Sequence, residues 1–190
     1  MIEKFLKAKH WQIFIAIFII PYSLQFLAMT ITNNDQDKIM DFTPFIIVVF
    51  FLGLFGWLWS IAIGLRENIP TGIKMKTKKF KIFLLIPMIY MPVAFKLFDL
   101  LFDSVEKSNG EVNGLMMGIS FAIIFPLHIL SIFGFLYSFY YVAKTYKTVE
   151  LQREVSFSDF AGDFFLLLFF PIGVWIIQPN INKMVVNDAH

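Results

Sequence analysis

Cysteine is absent from the 190 residues. Disulfides, thiolate nucleophiles, iron–sulfur clusters and thiolate-bound zinc are thereby excluded. Histidine is almost as scarce. His10, His128 and His190 stand far apart, so a His-rich metal site within one chain is not expected and no cofactor is called for. The chain also lacks G-x-S-x-G, H-E-x-x-H, a Walker lysine loop and G-x-G-x-x-G, each of which would place reactive groups on a known scaffold. Charge is missing from long runs: 11–34, 42–65 and 112–143 hold no Asp, Glu, Lys or Arg. No paired carboxylates therefore lie within those runs for acid–base work. The cluster Glu150, Glu154, Asp159 and Asp163 sits beside Lys147 and Arg153 and reads as a solvated helix rather than a catalytic centre. A non-enzymatic protein is expected.

What is present is apolar surface. The chain is 58% apolar with a mean hydropathy of +0.71, against about 45–50% for ordinary soluble domains. A soluble globule of this size leaves too much area exposed to hide it; lipid removes the difficulty. A helix needs roughly 20 apolar residues to cross the hydrocarbon core. The expectation is an all-α polytopic transmembrane helical bundle, one membrane domain over 1–190, with about five spans near 11–31, 42–65, 82–102, 114–143 and 164–181. The first run is too long for the apolar part of a signal peptide and reads as a retained helix. In the last, only 164–177 is strongly apolar, and Pro171-Ile172-Gly173 interrupts it. A crossing is expected there, with four spans plus a re-entrant segment as the alternative.

Topology follows from the cations. Arg66, Lys74, Lys76, Lys78, Lys79 and Lys81 crowd one stretch between two apolar spans, and such a loop resists translocation. With Lys4, Lys7, Lys9, Lys144, Lys147 and Arg153 they make twelve cations on one side, against Lys38, Lys96, Lys107 and, if the last segment crosses, Lys183 on the other. The intervening loops carry Asp35, Asp37 and Asp41, then Asp103, Glu106 and Glu111. The positive-inside rule puts the N-terminus in the cytoplasm, and five crossings put the C-terminus outside. The basic stretch suits anionic headgroups and also phosphates of nucleic acid. It has no aromatic stacking platform, so direct nucleic-acid contact is not expected, and a plain topology signal is the simplest reading.

Polar residues inside the spans are candidates for function. Gln25 follows Pro21, where a kink opens either a polar notch or a packing bend. Lys96 and Asp99 are spaced to pair on one helix face near the far interface, in a span that Pro87 and Pro92 break. His128, after Pro126, suits either a proton relay or a neutral imidazole bonded to a neighbouring helix. Pro44 is placed in a first helical turn. Gly53, Gly56 and Gly64, and the register Gly110, Gly114, Gly118, offer close helix approach, the latter within the chain or between copies. Trp57 and Trp59 are assigned to an interfacial aromatic belt. Beyond span four, Lys147 with Glu150 and Glu150 with Arg153 are spaced to pair.

Two stretches resemble a group of small, uncharacterised multi-pass membrane proteins of Bacteroidota-type bacteria: Phe5-Leu6-Lys7-Ala8-Lys9-His10-Trp11-Gln12-Ile13-Phe14, and Phe169-Phe170-Pro171-Ile172-Gly173-Val174-Trp175-Ile176-Ile177-Gln178-Pro179 with Asn180 and Asn182. The resemblance implies an inner-membrane protein with no assigned reaction. In size, span number and basic loops alone, the chain is also similar to the membrane accessory proteins of RNA-targeting type VI-B CRISPR effectors. That similarity implies modulation of an effector and carries no site residue. The expected function is action through helix packing in the lipid bilayer and through a protein partner or a homo-oligomer. The alternative is a small transporter or channel whose Pro-kinked spans surround a midplane site.

Overall fold

The computed structural model describes residues 2–107 and 114–187. Every regular element among them is helical. Helix α1 (Ile2–Lys7) and α2 (His10–Phe14) precede a π turn at Ile15–Ile19 that leads into α3 (Ile20–Ile31). Next come α4 (Gln36–Gly64), a 3-10 turn (Leu65–Asn68), α5 (Thr77–Lys107) and α6 (Gly114–Leu151). The chain closes with α7 (Phe157–Leu168) and α8 (Phe170–Asn187). Four stretches are long and apolar enough to cross a membrane: His10–Ile31, Gln36–Asn68, Thr77–Val105 and Ser120–Leu151. Their outer faces carry large apolar side chains in the open; Tyr22, Phe26 and Phe102 are each more than 70% exposed. This is a membrane protein whose outer surface is dressed for lipid.

Pro44, Pro87 and Pro92 act differently from the sequence expectation. Pro21 distorts the first span without ending it. It has no N–H to offer Ile17, and the chain widens into the π turn ending just before it, where Ile20 N–H reaches back to Ile15; a wider turn relieves the clash between a proline ring and the preceding turn. Pro44 is not in a first turn. Asp35 caps α4 by accepting from Lys38 N–H, which starts the helix well before the apolar run and leaves Pro44 inside it. Pro87 and Pro92 lie within an unbroken α5, and Pro126 within an unbroken α6. The carbonyl of Phe83, left without its donor by Pro87, faces Gly134 on α6, where an added Cβ would stand only 2.7 Å away. Gly134 thus lets the two helices close over the gap. Hydroxyls are absorbed similarly: Ser60, Ser138, Thr145 and Thr148 each donate to a carbonyl one turn back, so these buried polar groups need no other partner.

The last apolar segment follows the alternative expected for it: four spans and a broken hairpin. Helix α7 ends at Leu168, and α8 begins at Phe170 with Pro171 in its first turn, where a missing N–H costs nothing. Gly173 lies so close to the Leu166 carbonyl that any side chain would collide with it, and this tight contact folds α8 back along α7. At the turn, Phe170 stacks on Phe18 at 5.0 Å and meets Phe50 at 5.8 Å. Both rings lie well inside the first two spans. From there α8 returns to the end of the molecule where α1 lies. The expected crossing of this segment is therefore corrected: the described end of α8 lies beside α1, and Lys183 joins the basic end.

That end is the thick one. Trp57, Ile61, Phe80, Phe139, Tyr146, Phe160 and Ile181 are buried there in one cluster, together with Leu6. Ile2 and Leu6 fill the space beside Gly64, and Phe5 that beside Gly56, while Ala16 and Ile17 of the first span approach Gly53. Toward the other end burial thins. Among the described α5 side chains beyond Tyr90 only Ala94 is buried, and none of the described α6 side chains before Ser131 is.

Candidate functional site

A highly connected, fully buried polar group lies at the thick end. Helix α1 is short, and the carbonyls of its last turn have no intrahelical donor. Gln178, fully buried on α8, supplies one: its amide nitrogen donates to the carbonyls of Ala8 at 2.8 Å, Phe5 at 3.0 Å and Leu6 at 3.3 Å. Its amide oxygen accepts from Trp57 Nε1 at 2.8 Å. Asn182, one turn further on, donates to Leu6 at 2.7 Å and Ala8 at 3.1 Å. One turn earlier, Trp175 packs on His10 at 4.6 Å and Phe14 at 5.7 Å. The two stretches that carry the family resemblance therefore meet face to face. Trp57 is not in an aromatic belt, as expected, but is wholly buried in this knot.

Ion pairs fasten the hairpin to α6. Lys147 pairs with Glu150 on its own helix and with Asp163 on α7 at 3.1 Å. The expected Glu150–Arg153 pair does not form. Helix α6 ends at Leu151, Gln152 turns into a left-handed conformation, and Arg153 swings to Asp159, which it holds at 2.7 and 3.4 Å. Asp159 also accepts from the Ser156 N–H at 2.8 Å and from its hydroxyl, capping α7. The Arg153 guanidinium, with these two Ser156 donors behind it, holds the Asp159 carboxyl well below the usual carboxylate range.

The polar candidates within the spans are not gathered into one site. His128 Nδ1 lies 3.2 Å from the Tyr90 hydroxyl, so its imidazole ties α6 to α5. His128 also borders an apolar groove of about 380 Å³ walled by Phe98, Leu101, Phe121, Ile124 and Phe125. Lys96 and Asp99 pair with each other, as their spacing predicts, on an exposed part of α5. Gln25 is half-buried on α3, which packs on α4, and no hydrogen bond links it to His128, Lys96 or Asp99. Gly114 and Gly118 have no described atom within 4 Å of an added Cβ; Gly110 lies outside the described residues.

The cations of the basic stretch are all exposed, but the stretch is only partly a loop. Arg66 lies in the 3-10 turn, Lys74 and Lys76 in the loop, and Lys78, Lys79 and Lys81 in the first turns of α5. Lys81 Nζ sits 5.3 Å over the Trp59 ring. Thr77, at the helix start, bonds the Tyr141 hydroxyl at 2.8 Å, which carries α5 back past its apolar run.

Sequence reading missed Gln178, Asn182 and Tyr90. The two amides were visible as polar residues four apart on one face of a segment otherwise apolar. No protein-family model, curated protein or solved structure matches this chain.

Proposed function

We propose that this is a non-enzymatic integral protein of a bacterial inner membrane, N-terminus cytoplasmic, which works through its packed helices and a partner bound at its basic end. One observation carries the reading. Gln178, Asn182, Trp57, Lys147 and Arg153 are all engaged in holding α1, α7 and α8 to the spans, while the cations of the stretch from Arg66 to Lys81 remain exposed beside them. A rigid platform with an open cationic face suits docking better than turnover. The fainter family similarity gives one version of the partner, an RNA-targeting effector, and a neighbouring effector gene with a repeat array would support it.

A small transporter or channel is the second reading, favoured by the groove beside His128, whose imidazole bonds Tyr90. Purified protein in sealed liposomes separates the two. The platform reading expects no ion or solute flux above that of empty vesicles. Flux that falls when His128 is changed to Ala would overturn it in favour of transport.

A further inference from the structure

The loop between α4 and α5 has a built-in polar cleft of about 530 Å³, bordered by Arg66, Pro70, Thr71, Gly72 and Lys74. Gly72 takes a positive φ of 96°, and the Ile73 N–H closes the turn onto the Pro70 carbonyl at 3.3 Å. The N–H groups of Thr71, Gly72 and Lys74 make no hydrogen bond to other backbone among the described residues. Arg66 and Lys74 form no ion pair among those residues, nor do Lys76, Lys78 and Lys79 close by. Free backbone donors and an Arg fork in one cleft are the chemistry of a phosphate site.

We propose that this cleft holds the headgroup phosphate of an anionic phospholipid. The proposal rests on the reading of this chain as a membrane protein whose basic end lies at the headgroups. Three features favour a lipid over a nucleic acid. Trp59, with Lys81 over its ring, marks the interfacial plane immediately beside the loop. Apolar Ile69, Ile73 and Met75 alternate with the cations; Ile69 and Met75 pack on the core, which holds the loop against the ends of the spans. The cleft has no aromatic ring on which a base would stack.

The full chain in nanodiscs tests this, with phosphatidylglycerol and phosphatidylcholine competing and retained lipid counted by native mass spectrometry. The wild type is expected to retain phosphatidylglycerol about tenfold or more over phosphatidylcholine. The double variant Arg66→Gln, Lys74→Gln should lose that preference, and Lys4→Gln, Lys7→Gln should keep it. Equal retention of both lipids overturns the proposal, as does a preference the double variant leaves intact. Inorganic phosphate and a single-stranded oligonucleotide are added as competitors. If either binds through Arg66 and Lys74 while the lipid preference is absent, the site is not a lipid site. Failure to enter the nanodisc at all would instead sink the membrane reading.

Discussion

Gln178 makes the sharpest single-residue prediction. Gln178→Ala leaves the Trp57 N–H buried and unpaired and strips one donor group from the end of α1, although Asn182 still serves Leu6 and Ala8. The expected loss is about 2 kcal/mol, read as a lower midpoint of unfolding in detergent. Gln178→Ala with Asn182→Ala should cost more than the two single changes added together, because each covers for the other. Arg153 and Asp159 predict a pH dependence. The folded Asp159 carboxyl is held low, chiefly by Arg153 and then by Ser156. Its contribution is present above the ordinary carboxylate pKa of about 4 and is lost as pH falls through the depressed folded value. Protection of α7 from proteolysis should therefore hold at neutral pH and weaken only in strong acid, while Asp159→Asn should show that weaker protection already at neutral pH. At this scale the sequence was half legible. The Lys96–Asp99 and Lys147–Glu150 pairs are local and could be read from spacing. The partners of Gln178 could not, because Phe5, Leu6, Ala8 and Trp57 are more than 100 residues away, and no local pattern encodes a contact of that range.

Glycine decides how the elements meet. Gly173→Ala puts a methyl group into the Leu166 carbonyl, backbone against backbone with nothing flexible to yield. The α7–α8 hairpin should open, with a loss of folded protein well above that for Gly134→Ala, whose Cβ meets the Phe83 carbonyl at 2.7 Å. Gly118→Ala has open space around it and is expected to be neutral within about 0.5 kcal/mol. The measure is the folded fraction on size exclusion in detergent; a Gly173→Ala protein as stable as wild type would refute the hairpin geometry. The helices themselves were readable from uncharged runs of sufficient length. Pro87 and Pro92 misled because a missing donor does not by itself break a helix: α5 runs on through both, and the freed Phe83 carbonyl packs against Gly134 of α6, a neighbour no local pattern shows. The last segment was ambiguous for a related reason, since a short apolar run containing Pro and Gly is compatible with crossing or returning until the place of Phe170 against Phe18 is known.

The whole molecule is polarised along its length. One end gathers α1, the hairpin, the buried aromatic core and most of the cations; at the other, burial on α5 and α6 thins toward the groove beside His128. With four crossings, the basic loop, α1 and α8 fall on one side and the acidic turn at 32–35 on the other. The absence of cysteine makes this directly measurable, because any introduced thiol is unique. Single variants Asn34→Cys, Lys74→Cys and Lys183→Cys would be labelled in intact cells with a membrane-impermeant maleimide, before and after permeabilisation. Labelling of Asn34→Cys in intact cells, with Lys74→Cys and Lys183→Cys both protected until permeabilisation, is the predicted result; Lys183→Cys labelling alongside Asn34→Cys would contradict it.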